Sequence, residues 1–168
     1  MNTLERVALY MKDHDLTMVT GESCTAGLIS AMLADVPGAG ALLDCAFVVY
    51  SAEAKRRCLG VSSATLAANN LTSEAVAREM ALGAARKSPA NVAVSNTGVV
   101  DGTDDRIPPG TQCYAWVFKS GNADANPVVY CATERFSGGR SAIRKASALY
   151  ALEGIVKYHE LYKAGDYG

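Results

Sequence analysis

Ser23 and Cys24 put a hydroxyl and a thiol side by side within Gly21-Glu22-Ser23-Cys24-Thr25-Ala26-Gly27. This segment stands between a β-type run, Leu16 to Thr20, and a small-residue helical pattern, Leu28 to Leu33. A strand-to-helix corner leaves the first helical N–H groups unpaired and carries the positive end of the helix dipole. It therefore favours an oxyanion or a developing thiolate. Simple capping of the helix by Ser23 or Thr25 is the alternative.

A nucleophile needs a base, and histidine is scarce. His14 falls in an early turn and His159 near the end of the last helical pattern, and both are expected at the surface. The other base on offer is Lys55, one helical turn beyond Tyr50, which closes the apolar run Ala46 to Tyr50. Adjacent parallel strands open onto one edge of a sheet, which would bring Ser23, Tyr50 and Lys55 to one crevice. A lysine desolvated there loses basicity and can accept the serine proton, with the Tyr50 hydroxyl relaying it or stabilising charge. The chemistry this describes is serine/lysine acyl transfer. Cys24 as a thiolate nucleophile is a weaker variant, and a packing role for Cys24 competes with it.

Two further segments carry charge. Asp101, Asp104 and Asp105 lie within five positions, but their spacing fits no calcium loop, so no metal is expected there. Ser137-Gly138-Gly139-Arg140, followed by Arg144, sets a glycine turn at a helix start with two guanidinium groups a turn apart. That pattern suits a phosphate clamp or ordinary surface charge.

The elements that must position these groups follow from periodicity. Leu4, Val7, Ala8 and Met11 mark a first helix, and Cys45 to Ser51 reads as a buried strand. Ala52 to Cys58 is a short helix closed by Gly60, and Ser73 opens a helix running to about Arg86. Asn91 to Asn96 is a strand followed by a polar loop from Thr97 to Gly110. Thr111–Lys119 and Val128–Phe136 form an antiparallel pair, and a last helix runs from Gly139 or Arg140 to about Tyr162. Strands alternating with helices and then a hairpin predict an α/β fold, a three-layer α/β/α sandwich on a mixed, mainly parallel sheet. The 168 residues suit a single domain spanning 1–168.

Sixteen basic against seventeen acidic residues leave no broad positive field, which argues against nucleic-acid or membrane partners. The five cysteines are widely spaced, without a C-x-x-C pair, as expected of reduced thiols in a cytoplasmic protein. No secretory pattern opens the chain and no run reaches membrane-spanning length.

Glu22-Ser23-Cys24-Thr25-Ala26-Gly27, Asp35-Val36-Pro37-Gly38, Val49-Tyr50-Ser51 with Glu53-Ala54-Lys55, Leu59-Gly60-Val61, Ser73 to Ala77, Thr97-Gly98, Gly110-Thr111 and Phe136-Ser137-Gly138 with Arg140 occur in this order. From about Leu16 to Ala151 the chain thereby resembles the C-terminal domain family of the competence/damage-inducible protein CinA. Enzymatic members of that family are nicotinamide-nucleotide amidohydrolases. The resemblance implies conversion of nicotinamide mononucleotide to nicotinate mononucleotide and ammonia, with no metal or organic cofactor. Carried over residue by residue, it implies Ser23, Tyr50 and Lys55 as the catalytic trio. Cys24, Thr25, Thr97 and Gly98 fall on the substrate, and Arg140, with Arg144 a turn further on, on the phosphate side. The implied partner is a small-molecule nucleotide, and a homo-oligomer is compatible with it.

The chain departs from the family after Thr97-Gly98. A glycine-rich stretch is replaced by the shorter, acidic Val99 to Gly110, whose carboxylates would repel a ligand phosphate if they faced it. The alternative expectation is therefore a paralogue that keeps the fold and cleft as a nucleotide-binding or regulatory module without turnover.

Overall fold

The computed structural model describes residues 1–102 and 104–168. Along the chain run α1 (Thr3–Asp13), β1 (Met18–Glu22), α2 (Leu28–Ala34), β2 (Leu43–Val48), α3 (Ala52–Leu59) and α4 (Ser63–Ala68). They are followed by α5 (Glu74–Arg86), β3 (Val92–Gly98), β4 (Thr111–Phe118), β5 (Val128–Arg135) and α6 (Arg140–Lys163). The starts are set by side chains that satisfy orphan amides: Asn2 and Glu5 form a capping box on α1, and Ser51, Ser62 and Ser73 cap α3, α4 and α5.

The five strands form one sheet in the order β2-β1-β3-β4-β5. β1 pairs parallel with β2 and β3, whereas β4 runs antiparallel to both β3 and β5, so four strands point one way. Strand alternation divides the core. Met18, Val92, Val94, Tyr114, Trp116 and Phe118 face the layer that contains α1, α2 and α6. Val19, Ala93, Ala115 and Val117 face Val76, Ala77, Met80, Ala81 and Ala84 of α5. The small side chains on that second face allow α5 to lie close, while the aromatic face holds α6 further off. Trp116 spans that distance, its indole N–H donating to the Ala151 carbonyl at 2.8 Å. A Cβ at Gly154 would come 2.3 Å from the Trp116 ring, so α6 carries a notch where the ring lies.

Three expectations change. β2 is an edge strand, exposed at Asp44, Cys45, Ala46 and Val48, because β1 sits between it and β3; its apolar run reads like a buried strand without being one. His159 is buried rather than at the surface, and His14 is half-buried beside it, because α1 packs across the end of α6. α2 begins at Leu28, several residues after Ser23, so neither Ser23 nor Thr25 caps it.

Candidate functional site

The parallel strands β1, β2 and β3 end at one edge, and each supplies a segment there: Ser23 and Cys24 after β1, Tyr50 after β2, Thr97 to Val99 from β3. These residues and Lys55 line a cleft of about 340 Å³, with Asn70 to Thr72, Asp104 and Ile107 on its other wall.

Lys55, on α3, is 1% exposed. Its ammonium donates to the Ser23 hydroxyl at 3.0 Å and to the carbonyls of Val49 and Tyr50 at 3.1 and 3.0 Å. Among the described residues no carboxylate stands against it, and burial alone pulls its pKa down to about 8. When it loses one proton, the two carbonyls hold the two that remain and the lone pair is left for Ser23. This arrangement can move a proton from serine to lysine near neutral pH. Tyr50 is 61% exposed and lines the cleft; its carbonyl, not its hydroxyl, is bonded to Lys55.

The turn that carries Ser23 is held by Glu22, a wholly buried carboxylate at the end of β1. It accepts six hydrogen bonds, from the Thr20, Thr25 and Ser30 hydroxyls and the N–H groups of Gly27, Ile29 and Ser30. The free amides at the start of α2 are thereby spent on Glu22, not on a ligand. Ala26 at φ 47° and Gly27 at φ 97° make the tight reversal that lets the helix fold back onto this carboxylate. Thr25 is wholly buried, with its hydroxyl on Glu22 and its N–H on the Asn96 side-chain oxygen at 3.0 Å, so it has no donor left for a substrate. Within Ser23–Ser30 the Cys24 N–H alone has no hydrogen-bond partner among the described residues.

Cys24 lines the cleft, but the residue is 4% exposed and burial pushes its thiol pKa up, against the pull of Gln112, Arg144 and Arg140. A protonated, packed thiol disfavours Cys24 as nucleophile. Thr97 donates its hydroxyl to the Leu71 carbonyl and so ties the two cleft walls together. Gly98 must be small because the Gln112 side chain passes 2.2 Å from where its Cβ would be.

The two arginines part company. Arg144 donates to the carbonyls of Cys24 and Thr25 at 2.9 and 3.2 Å, so it holds the nucleophile turn. Arg140 is exposed and ion-paired with Asp101 at 2.5 Å. Asp104 takes Arg106 and Asn70, and no group of three or more metal-ligating side chains occurs among the described residues. Sequence reasoning assigned no role to Glu22, Asn96, Gln112 or Ser147. The alternation along β1, β3 and β4 places the first three on the mainly apolar α6 face, and a large polar residue at such a position is the signal that finds them.

The family model of the CinA C-terminal domain matches residues 2–159. The chain belongs to the CinA C-terminal domain family. Among curated members, the nicotinamide-nucleotide amidohydrolase PncC of Escherichia coli K12 is 36% identical over 155 residues, 91% of this chain and 90% of that protein. Two solved CinA-family structures share the fold. The competence/damage-inducible protein CihA of Agrobacterium tumefaciens superposes with a TM-score of 0.82 at 34% identity, covering 94% of this chain and 96% of that one. A CinA superfamily protein of Klebsiella pneumoniae does so at 0.83 and 30%, covering 92% and 96%. Among the described residues no helix is long and apolar enough to cross a membrane.

Proposed function

We propose that this chain is a C–N amide hydrolase acting on nicotinamide mononucleotide, with Ser23 as nucleophile and Lys55 as its base. The observation that carries the reading is Lys55, buried without a counter-ion among the described residues and 3.0 Å from the Ser23 hydroxyl. The amidohydrolase names of its relatives support the reaction class. Ser23 Oγ attacks the carboxamide carbon as its proton passes to Lys55 Nζ, and the Cys24 N–H is the amide available to the developing oxyanion. The tetrahedral adduct collapses, the C–N bond breaks and ammonia leaves with the proton held by Lys55. Water then gives its proton to Lys55, attacks the acyl-serine and releases the carboxylate and the Ser23 hydroxyl. Ammonia release from nicotinamide mononucleotide by the parent, lost in Ser23→Ala, tests this; turnover retained in that variant would reject it.

A second reading, ligand binding without turnover, draws on the Asp101–Arg140 pair, which neutralises the arginine expected on the phosphate side. Tight nucleotide binding with no ammonia release would select it.

A further inference from the structure

Three fully buried polar side chains lie behind the nucleophile turn: Asn96 at the end of β3, Gln112 at the start of β4 and Ser147 on α6. Their neighbours on the same sheet face, Val94 and Trp116, are core residues, so a polar set here needs a reason. The bonding is complete. Asn96 Oδ1 accepts from the Thr25 N–H at 3.0 Å, and Asn96 Nδ2 donates to Gln112 Oε1 at 2.9 Å and Ser147 Oγ at 3.1 Å. Gln112 Oε1 also accepts from the Ser147 hydroxyl, while Gln112 Nε2 donates to the Val99 carbonyl at 3.1 Å and to Cys24 Sγ at 3.5 Å. The Tyr114 hydroxyl meets Ser147 Oγ at 2.7 Å. Every side-chain amide donor is used, so neither amide can flip without facing donor against donor.

The network grips two consecutive residues of the turn, Cys24 by its sulfur and Thr25 by its N–H. We propose that Asn96, backed by Gln112 and Ser147, is a positioning residue that sets the orientation of the Ser23–Thr25 turn, engaging the Thr25 N–H and leaving the Cys24 N–H for the substrate oxygen. This rests on the reading of Ser23 as nucleophile. Asn96 touches no reacting atom; it acts by keeping the Ser23 oxygen and the Cys24 N–H in one geometry.

The test needs no knowledge of the natural substrate. A fluorophosphonate reacts when serine oxygen forms a bond to phosphorus, its proton passes to the base and fluoride leaves. The labelling rate therefore reads nucleophile, base and oxyanion donor together. Asn96→Leu removes the acceptor for Thr25 and is expected to slow Ser23 labelling at least tenfold, with the pH midpoint set by Lys55 unmoved. Asn96→Asp keeps that acceptor while burying a charge and forfeiting both donors. It should melt at lower temperature than the parent yet label within threefold of it, a dissociation that a purely structural role would not give. Where Asn96→Leu does not fold, Ser147→Ala, which unties the Asn96 amide from α6, should slow labelling about threefold. Labelling of the folded Leu variant within twofold of the parent, of Ser147→Ala at the parental rate, or an Asp variant as slow as the Leu one, overturns the proposal. A parent that does not label removes Ser23 as nucleophile and the proposal with it.

Discussion

A lysine held among three oxygens without a carboxylate is unusual enough to make pH the sharpest probe of this site. Lys55 titrates at about 8, so the turnover of the parent should climb through that pH as the base loses its proton. Lys55→Met should lower turnover by orders of magnitude and abolish that limb, with ligand affinity less affected. The same shift has a signed effect on stability. The folded pKa lies below the unfolded 10.5, so burial of the charged form opposes folding in full below pH 8, and the opposition fades as pH rises toward 10.5. The unfolding free energy of the parent, measured by urea titration, should therefore rise by about 2 kcal/mol between pH 7.5 and 9.5, and that of Lys55→Met should not. Neither Asp101 nor Arg140 lines the cleft, but if Arg140 meets the ligand phosphate, Asp101→Asn should free it and tighten nicotinamide mononucleotide severalfold at low salt. Titration at two ionic strengths checks it, and equal affinities in parent and variant would remove Asp101 as an electrostatic block.

Among the elements, the seven-residue α2 is too short to be stable alone and depends on how it is started. Its start is supplied by Glu22 from the preceding strand, across the left-handed pair Ala26 and Gly27. Gly27→Ala should destabilise the protein by about 1–2 kcal/mol, since a Cβ is strained at that φ, and thermal melting measures it. A larger fractional loss of turnover than of folded protein would show that the reversal serves the nucleophile as well as the helix. At the other end of the molecule, α1 meets α6 through Tyr10, His14 and His159. Burial, then the charges of His14 and Lys163, hold the His159 pKa below its usual 6.5. A basic group with a lowered folded pKa costs stability as pH falls below the unfolded value. The melting temperature should drop between pH 7.5 and 5.5, and His159→Phe should shrink that drop.

Across the whole molecule, the sheet-forming runs, the helix start at Ser73 and the joining of Ser23, Tyr50 and Lys55 at one edge were legible in the chain. Period, cap chemistry and strand direction are local or nearly local properties. The exposure of β2 was not, because Ala46 to Tyr50 has the composition of a core strand and only strand order makes it an edge. Nor was the division between Arg140 and Arg144. One turn of helix separates them, but the first faces a carboxylate from the loop before β4 and the second faces two carbonyls after β1. α4 went unread because it has six residues and no buried side chain to impose a period.

The protein has a single tryptophan, and its placement makes it an optical reporter of one layer. Trp116 is wholly buried between β4 and α6, close to the rings of Tyr114 and Tyr158, with its N–H on the Ala151 carbonyl. Its emission should therefore be blue-shifted in the native protein and move to the red when α6 leaves the sheet. Energy transfer to it from Tyr158 of α6 should fall when that layer opens. Loosening confined to α3, α4 and α5 would leave the spectrum unchanged, so a fluorescence transition that lags the loss of helical circular dichroism would reveal the two faces of the sheet coming apart in turn.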